Sequence, residues 1–416
     1  MSSDVDAALS RLLREEWPRL VAAGVRILGD FQAAEDIVQE TLLAALDHWP
    51  LSGIPDQPGA WLMTVCRRRA LNALRDRQRE AARLESAADH ACAGDTPVAT
   101  GAEPQIVDDR LRLITMCCHP LLPFDARVAL TLRMIAGLTT EQIAATFHEP
   151  IATTGQRLVR AKAVLRAHRV AFTTDLIDLP SRLPAVIDVL TLVFNEGYLA
   201  HCGDSLCDTS LSAESQRLTV LLTTLVPQEP EPWALRALQV FHLSRSRTRT
   251  DDAGNLLTLS EQDRSRWDRN LVADGLASLE QARQLSEEPS GLLLQAELAA
   301  CHATAPSFED TDWTKIVKLY DQLLAADPTP VVELNRAIAL AMRDEPAAAL
   351  PILNQLVEQP ALARSHRVWA VRADLHRRLH DDVSARQDYQ RALQLVTNDV
   401  ERAYLTRAQQ QLTNEE

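Results

Sequence analysis

Leu138-Thr139-Thr140-Glu141-Gln142-Ile143-Ala144-Ala145-Thr146-Phe147, with His148-Glu149-Pro150 behind it and Ile151 to Arg166 beyond, carries the signals of two short helices meeting at a turn. Thr139 or Thr140 can cap the first helix, since a hydroxyl oxygen accepts from the free amides of the opening turn, where Glu141 and Gln142 stand. Ala144 and Ala145 are small enough to admit a crossing helix. Pro150 ends the turn, and Thr153 is placed to cap the second helix. In that helix Leu158, Ala161 and Leu165 recur on one side and Arg157, Arg160 and Lys162 on the other. One helix that braces and a second with a basic edge form the helix-turn-helix layout, whose second helix enters a DNA major groove. The bland alternative is a helical hairpin with a solvated basic edge.

Outward from this stretch the pattern stays helical. Only 13 glycines and 4% aromatics accompany abundant Ala, Leu, Arg and Glu, so an all-α fold is expected for the 416 residues. Residues 8–47 read as helices, with Leu9, Leu12, Leu13, Trp17, Leu20 and Val21 at helical spacing and a break at Gly29-Asp30. Pro50 to Pro58 reads as a loop. Ala60 to about Leu84 reads as one long helix, apolar at Leu62, Val65, Cys66, Leu71 and Leu74. Residues 86–106 are small, polar and aperiodic, a tether. After an acidic join, Thr173 to Asp178, helical pattern resumes to the end, interrupted by loops at His201 to Thr209 and Arg249 to Asn255. In the last third Ala373, Ala385, Tyr389 and Ala392 match the small and aromatic spacing of a tetratricopeptide helix pair. Ala337, Ala349, Leu353 and Leu356 repeat it upstream, and Tyr320, Leu323 and Pro328 resemble the end of an earlier copy. The expected units are 1–85, the tether 86–106, 107–172, a helical region 173–288, and tetratricopeptide-like repeats over 289–416.

The net charge of −14 is unevenly spread. Residues 1–172 hold 20 basic and 21 acidic side chains, whereas the remainder holds 23 and 36. A nearly neutral front part with two arginine-rich faces can bind nucleic acid despite the acidic body behind it. No apolar run is long enough for a membrane span and no export signal is evident, so a cytoplasmic location without membrane association is expected. The cysteines Cys66, Cys92, Cys117, Cys118, Cys202, Cys207 and Cys301 lack zinc-ligand spacing. Cys117-Cys118-His119 clusters, but neighbours on a helix diverge by about 100°. Buried small residues are the expectation there, with no metal, cofactor or disulfide framework. No nucleophile–base pair or phosphate loop points to an enzyme.

Two further segments carry function. Ala34-Glu35-Asp36-Ile37-Val38-Gln39-Glu40-Thr41 sets its acids and Gln39 on one face, either a solvated stripe or a docking surface for a basic partner. Ala60-Trp61-Leu62 leads into a helix with seven arginines against two acids between Arg67 and Arg83. Arginine bonds phosphates and base edges bidentately, Asn72 offers both a donor and an acceptor, and Trp61 can stack on an unpaired base or serve as core.

The order of acidic helix, tryptophan-plus-arginine helix, tether and helix-turn-helix resembles the extracytoplasmic-function (ECF) sigma factors over about residues 8–170. The resemblance implies a sigma-2 domain and a sigma-4 domain, with core RNA polymerase and promoter DNA as partners. It implies polymerase contacts from Glu35, Asp36, Gln39 and Glu40. It implies −10 contacts from Trp61, Arg67, Arg68, Arg69, Asn72, Arg75 and Arg77, and −35 contacts from Thr153, Thr154, Gln156, Arg157, Arg160 and Lys162. His148 and Gly155 depart from the family's usual side chains. The remainder resembles a subfamily with a tetratricopeptide-like extension, through Phe194-Asn195-Glu196-Gly197-Tyr198 and Glu261-Gln262-Asp263-Arg264-Ser265-Arg266-Trp267.

Two readings of each extension motif stand. Phe194 to Tyr198 is either a helix end stopped by Gly197 with Tyr198 packed back, or a regulatory contact to the sigma domains or a small ligand. Glu261 to Trp267 is either a salt-bridged helix edge, which is the expectation, or a site. The acidic extension is expected to control the front part in cis, through an intramolecular contact. The alternative is a one-component helix-turn-helix regulator with a sensing domain, which leaves the acidic and arginine helices without a task; a tetratricopeptide scaffold is the third reading.

Overall fold

The computed structural model describes residues 16–87, 109–135, 137–147, 149–168, 179–198, 209–343 and 346–414. Among them the regular elements are helices, apart from a single bridge that pairs Thr250 with Leu256. Most of the tether 86–106, Leu9, Leu12, Leu13, Cys92, Cys202, Cys207, His148, the join at 173–178 and nearly all of the loop 201–209 lie outside the described residues. None of the described helices is long and apolar enough to cross a membrane. The chain divides into two compact units, residues 1–192 and 193–416.

In the first unit, α1 (16–28) ends at Gly29, whose positive φ of 66° suits glycine. Asp30 then caps α2 (Phe31–Ser52), its carboxylate accepting from the Ala33 amide at 2.8 Å. Gly24 lets α1 approach α2: a methyl there would stand 2.9 Å from the Ala34 Cβ. α3 (Pro58–Ala87) lies against α1, where the buried Cys66 thiol points to the Leu20 carbonyl. Two local expectations are corrected. Pro50 lies within α2, in its last turn, where a proline forfeits only one bond to the carbonyl four residues back. Leu71 is exposed, since it falls one step off the Leu62, Val65, Cys66 seam. α4 (Asp109–Cys117), α5 (Phe124–Met134), α6 (Thr140–Thr146) and α7 (Ile151–Ala167) complete the unit with the start of α8 (Leu179–Tyr198). The Cys118 thiol points to the Ala185 carbonyl of α8.

In the second unit α9 (Thr209–Leu225) and α10 (Pro230–Ser244) lead to α11 (Arg269–Leu285) and α12 (Gly291–Thr304), which close on α10 around Phe241, Trp267 and Leu279. The α10–α11 crossing is tight, because a methyl on Gly275 would stand 2.5 Å from the Phe241 ring. Phe241 is itself buried at 2% exposure. Gly275→Ala is therefore expected to cost about 1–3 kcal/mol through overpacking, read as a lowered calorimetric midpoint.

The segment Glu261 to Trp267 is not a salt-bridged helix edge. Asp263 caps a three-residue turn, Arg264–Arg266, that turns Arg264 and Trp267 inward. The Arg264 guanidinium donates to the His302 and Ala305 carbonyls at 2.9 and 3.0 Å and to the Thr311 hydroxyl at 3.1 Å. Unsatisfied carbonyls at the end of α12 take the place of carboxylates.

The remaining helices, α13 (Trp313–Ala326), α14 (Pro330–Arg343), α15 (Pro346–Leu356), α16 (Pro360–Ala363), α17 (His366–Arg378), α18 (Asp382–Leu395) and α19 (Asp399–Asn414), pack mainly against their chain neighbours. Ala337, Ala349, Leu353 and Leu356 are buried in one cluster; Ala373, Ala385, Tyr389 and Ala392, at a constant offset in sequence, are buried in another. Small residues permit close approach, and larger ones fill the space between pairs. Arg372 grips Asp388 across α17 and α18 with two bonds of 2.7 Å.

Candidate nucleic-acid interface

The helix-turn-helix stretch folds as its caps dictate. The Thr139 hydroxyl accepts from the Gln142 amide at 3.3 Å, and the Gln142 side chain accepts from the Thr139 amide at 2.9 Å, a reciprocal capping box. Leu158, Ala161 and Leu165 face inward on α7. Thr153 does not cap α7: Pro150 occupies the cap position without a side-chain bond, because its fixed φ starts the helix earlier. Thr153, Gln156 and Arg160 are exposed. Thr154 is buried, and its hydroxyl donates to Glu149 at 2.5 Å. Arg157 binds the same carboxylate at 2.5 and 2.7 Å and lies over the Phe147 ring. Burial pushes the Glu149 carboxyl up, but the bonds from Thr154 and Arg157 outweigh it and leave the group below its ordinary range.

Gly155 sits in the middle of this helix with open space above it, a Cβ meeting only the Thr140 methyl at 3.9 Å. Gly155→Ala is therefore expected to stabilise the unit by up to about 1 kcal/mol, seen as a raised unfolding midpoint.

On α3, Arg67, Arg68, Asn72, Arg75 and Arg77 are exposed along one helix. Trp61 is half-buried: His48 stacks on it with ring centres 6.0 Å apart, and Trp49 meets it edge-on at 5.4 Å. Arg69 is drawn aside to Glu40 at 2.8 Å.

The α2 acids do not share one environment. Asp36, Gln39 and Glu40 are exposed, whereas Glu35 is 2% exposed. Its carboxylate accepts from Arg133 at 2.8 Å and from Lys162 at 2.5 Å, and Lys162 also reaches Gln32 at 2.8 Å. Nearby, Arg166 of α7 bonds Asp30, the cap of α2. Burial raises the Asp30 carboxyl, but Arg166 and the Ala33 amide prevail and hold it below the usual range. Trp17 adds its indole N–H to the Arg133 carbonyl at 3.1 Å, and Gly137, with φ of 65°, packs beside that indole, where an added methyl would stand 3.3 Å from the ring. A clasp thus joins the acidic helix to the helix-turn-helix, and it brings Glu35 together with Lys162. Trp17, Asp30, Arg133 and Arg166 were not legible as its members. Trp17 read as part of a helix's apolar spacing, and pairing across about a hundred positions leaves no local signal.

In the second unit the helix runs through Gly197, which is not its stop. Phe194 is buried and stacks on Tyr198 at 5.8 Å, while Asn195 is exposed, Glu196 half-buried and Gly197 buried. His242 meets the Tyr198 ring at 4.9 Å, and Arg249 lies over it at 4.0 Å. The free thiols of Cys66, Cys117, Cys118 and Cys301 are buried, and burial pushes Cys66 up to about 11 and Cys118 up to about 12.

Comparison with known proteins agrees with this division of labour. Residues 12–80 match Sigma-70 region 2, residues 112–165 match Sigma-70 region 4, and residues 182–283 match a family of unknown function, DUF6596. An uncharacterized protein from Rhizobium meliloti (strain 1021) is 37% identical over 393 residues, covering 93% of this chain and 92% of its own. The probable ECF RNA polymerase sigma factor SigI of Mycobacterium tuberculosis (strain CDC 1551 / Oshkosh) is 31% identical over 46% of this chain and 62% of its own length. The ECF RNA polymerase sigma factor SigL of Mycobacterium tuberculosis (strain ATCC 25618 / H37Rv) is 31% identical over 39% of this chain and 89% of its own. With region 2 on the acidic and arginine helices, region 4 on the helix-turn-helix, and nearly the whole of SigL spanned, this chain belongs to the ECF family of RNA polymerase sigma factors.

Proposed function

We propose that this chain directs core RNA polymerase to promoters from a closed resting form, opened when the clasp on Glu35 gives way. The observation that carries this reading is the shared use of Glu35 and Lys162. Glu35 is one of the acids suited to the polymerase and Lys162 one of the cations suited to −35 DNA, and here each occupies the other. Neither can serve an outside partner while the pair holds. Once open, Asp36, Gln39 and Glu40 join Glu35 in docking the polymerase. Trp61, Asn72 and the α3 arginines hold the melted −10 strand, where a waiting pocket offsets the few kcal/mol of unstacking a base. Thr153, Gln156, Arg157, Arg160 and Lys162 follow the −35 duplex, with Thr154 bracing Glu149 beneath them.

The second unit, with its tetratricopeptide-like pairs and most of the chain's net negative charge, serves as the regulator in cis. Reconstituted transcription tests the whole reading. Full-length protein and a truncation ending at Ala200, which keeps α8 against Cys118, are each mixed with core polymerase and a promoter library. The expected result is start sites chosen by both forms, with output that differs between them. No start site from either form overturns the sigma assignment. Equal output from both, across inducing and non-inducing growth extracts, overturns the regulatory role alone. Co-purification with core polymerase excludes the one-component regulator.

A further inference from the structure

The second unit holds a small cavity of about 40 Å³ bounded by α10, α12 and the turn at Arg264. Phe241 and Leu259 give it an apolar wall, while His242, Arg245, Trp267 and His302 bring polar groups to it. Two polar atoms on its lining residues, the Trp267 indole N–H and the His302 Nδ1, are buried without a hydrogen-bond partner. The Arg264 Nε, on a guanidinium stacked 5.0 Å from the Trp267 ring, is a third such atom beside it. Trp267 is 2% exposed and Arg264 4%. An indole N–H can only donate, and an enclosed donor left unmade is costly, so such groups are nearly always satisfied. The surroundings add charge: Arg245 has no carboxylate partner among the described residues, and Arg249 and Arg264 act on the same space. Glu309 and Asp310 act on Arg264, but both lie on the exposed surface.

We propose that this cavity binds one small monovalent anionic group, held by Arg245, the Trp267 N–H and a His302 that turns its protonated ring nitrogen inward. The volume exceeds the 10–15 Å³ or so that one water needs, and suits a halide or the carboxylate end of a small organic acid. A neutral water satisfies the indole but leaves the Arg245 charge without a carboxylate in a weakly polarisable interior, where an anion offsets it. The histidines agree with a site of positive potential. Burial, then Arg245 and Arg249, push His242 down to about 3, and burial, then Arg245 and Arg264, push His302 down to about 4.

The test uses the full-length protein at fixed ionic strength, with sodium isethionate, whose anion is too large, exchanged stepwise for chloride, bromide or acetate. A saturable rise in the unfolding midpoint with chloride and bromide assigns a free inorganic ion. A rise with acetate alone assigns a carboxylate. Crystals grown in bromide should show an anomalous peak within hydrogen-bonding distance of Trp267 Nε1 in the first case. Trp267→Phe, which keeps the apolar volume and removes the donor, should weaken the salt response about tenfold. Arg245→Gln should abolish it. Identical midpoints in all four salts, with only a water in the cavity, overturn the proposal, and so does a response that Trp267→Phe leaves unchanged.

Discussion

Glu35→Ala is expected to lower the stability of the first unit by about 3–5 kcal/mol, because it strands two cations that the fold has taken out of water. The side chains of Arg133 and Lys162 are only 18% and 12% exposed, and the carboxylate they share is 3% exposed. Glu35→Gln keeps an acceptor but not the charge, and should fall between. A double-mutant cycle with Lys162→Met isolates the pair from the rest of the clasp. Denaturant unfolding gives the energies, and fluorophores on α2 and α7 report whether the two helices part. An unchanged midpoint with unchanged transfer efficiency would remove the clasp from the account. The outer pair, Asp30 with Arg166, adds a pH signature. The Asp30 carboxyl is depressed in the fold, so its contribution is present at neutral pH and is lost as pH falls through that lowered value. The outer pair should therefore hold until the pH drops below the ordinary carboxylate range.

The second large effect lies on α3. Arg67, Arg68 and Arg75 are exposed on the helix proposed to hold −10 DNA, and changing all three to alanine should weaken promoter binding by the polymerase complex about a hundredfold near physiological salt. Every arginine withdrawn from a phosphate should also flatten the salt dependence by about one unit, so the three together leave a visibly shallower line. Binding measured from low to moderate salt separates this from misfolding, which would change affinity without a matching change in slope. Arg69→Ala should cost less than any of the three, because its guanidinium pairs with Glu40 at 2.8 Å.

The sequence disclosed what local physics governs. Caps, a proline and a spaced apolar edge were enough to place α6 and α7, and the inward set Leu158, Ala161 and Leu165 followed from helical period alone. The charge density of α3 was legible for the same reason. What stayed hidden depends on the partner an edge meets. Glu35 and Asp36 are adjacent acids on one helix, yet one is enclosed and the other exposed, and only the arrival of α5 and α7 decides which. Arg264 misled in the same way. Flanked by acids and polar residues, it read as surface, but carbonyls at the end of a helix 38 and 41 positions later drew it inward.

Cys118 sits beneath α8 with its thiol aimed at a backbone oxygen, and burial suppresses the thiolate that alkylating reagents require. Its labelling rate by iodoacetamide is consequently a clock for how often α8 lifts from α4. Any effector that loosens that joint should quicken the clock, and one that tightens it should slow the clock, before a single transcript is made.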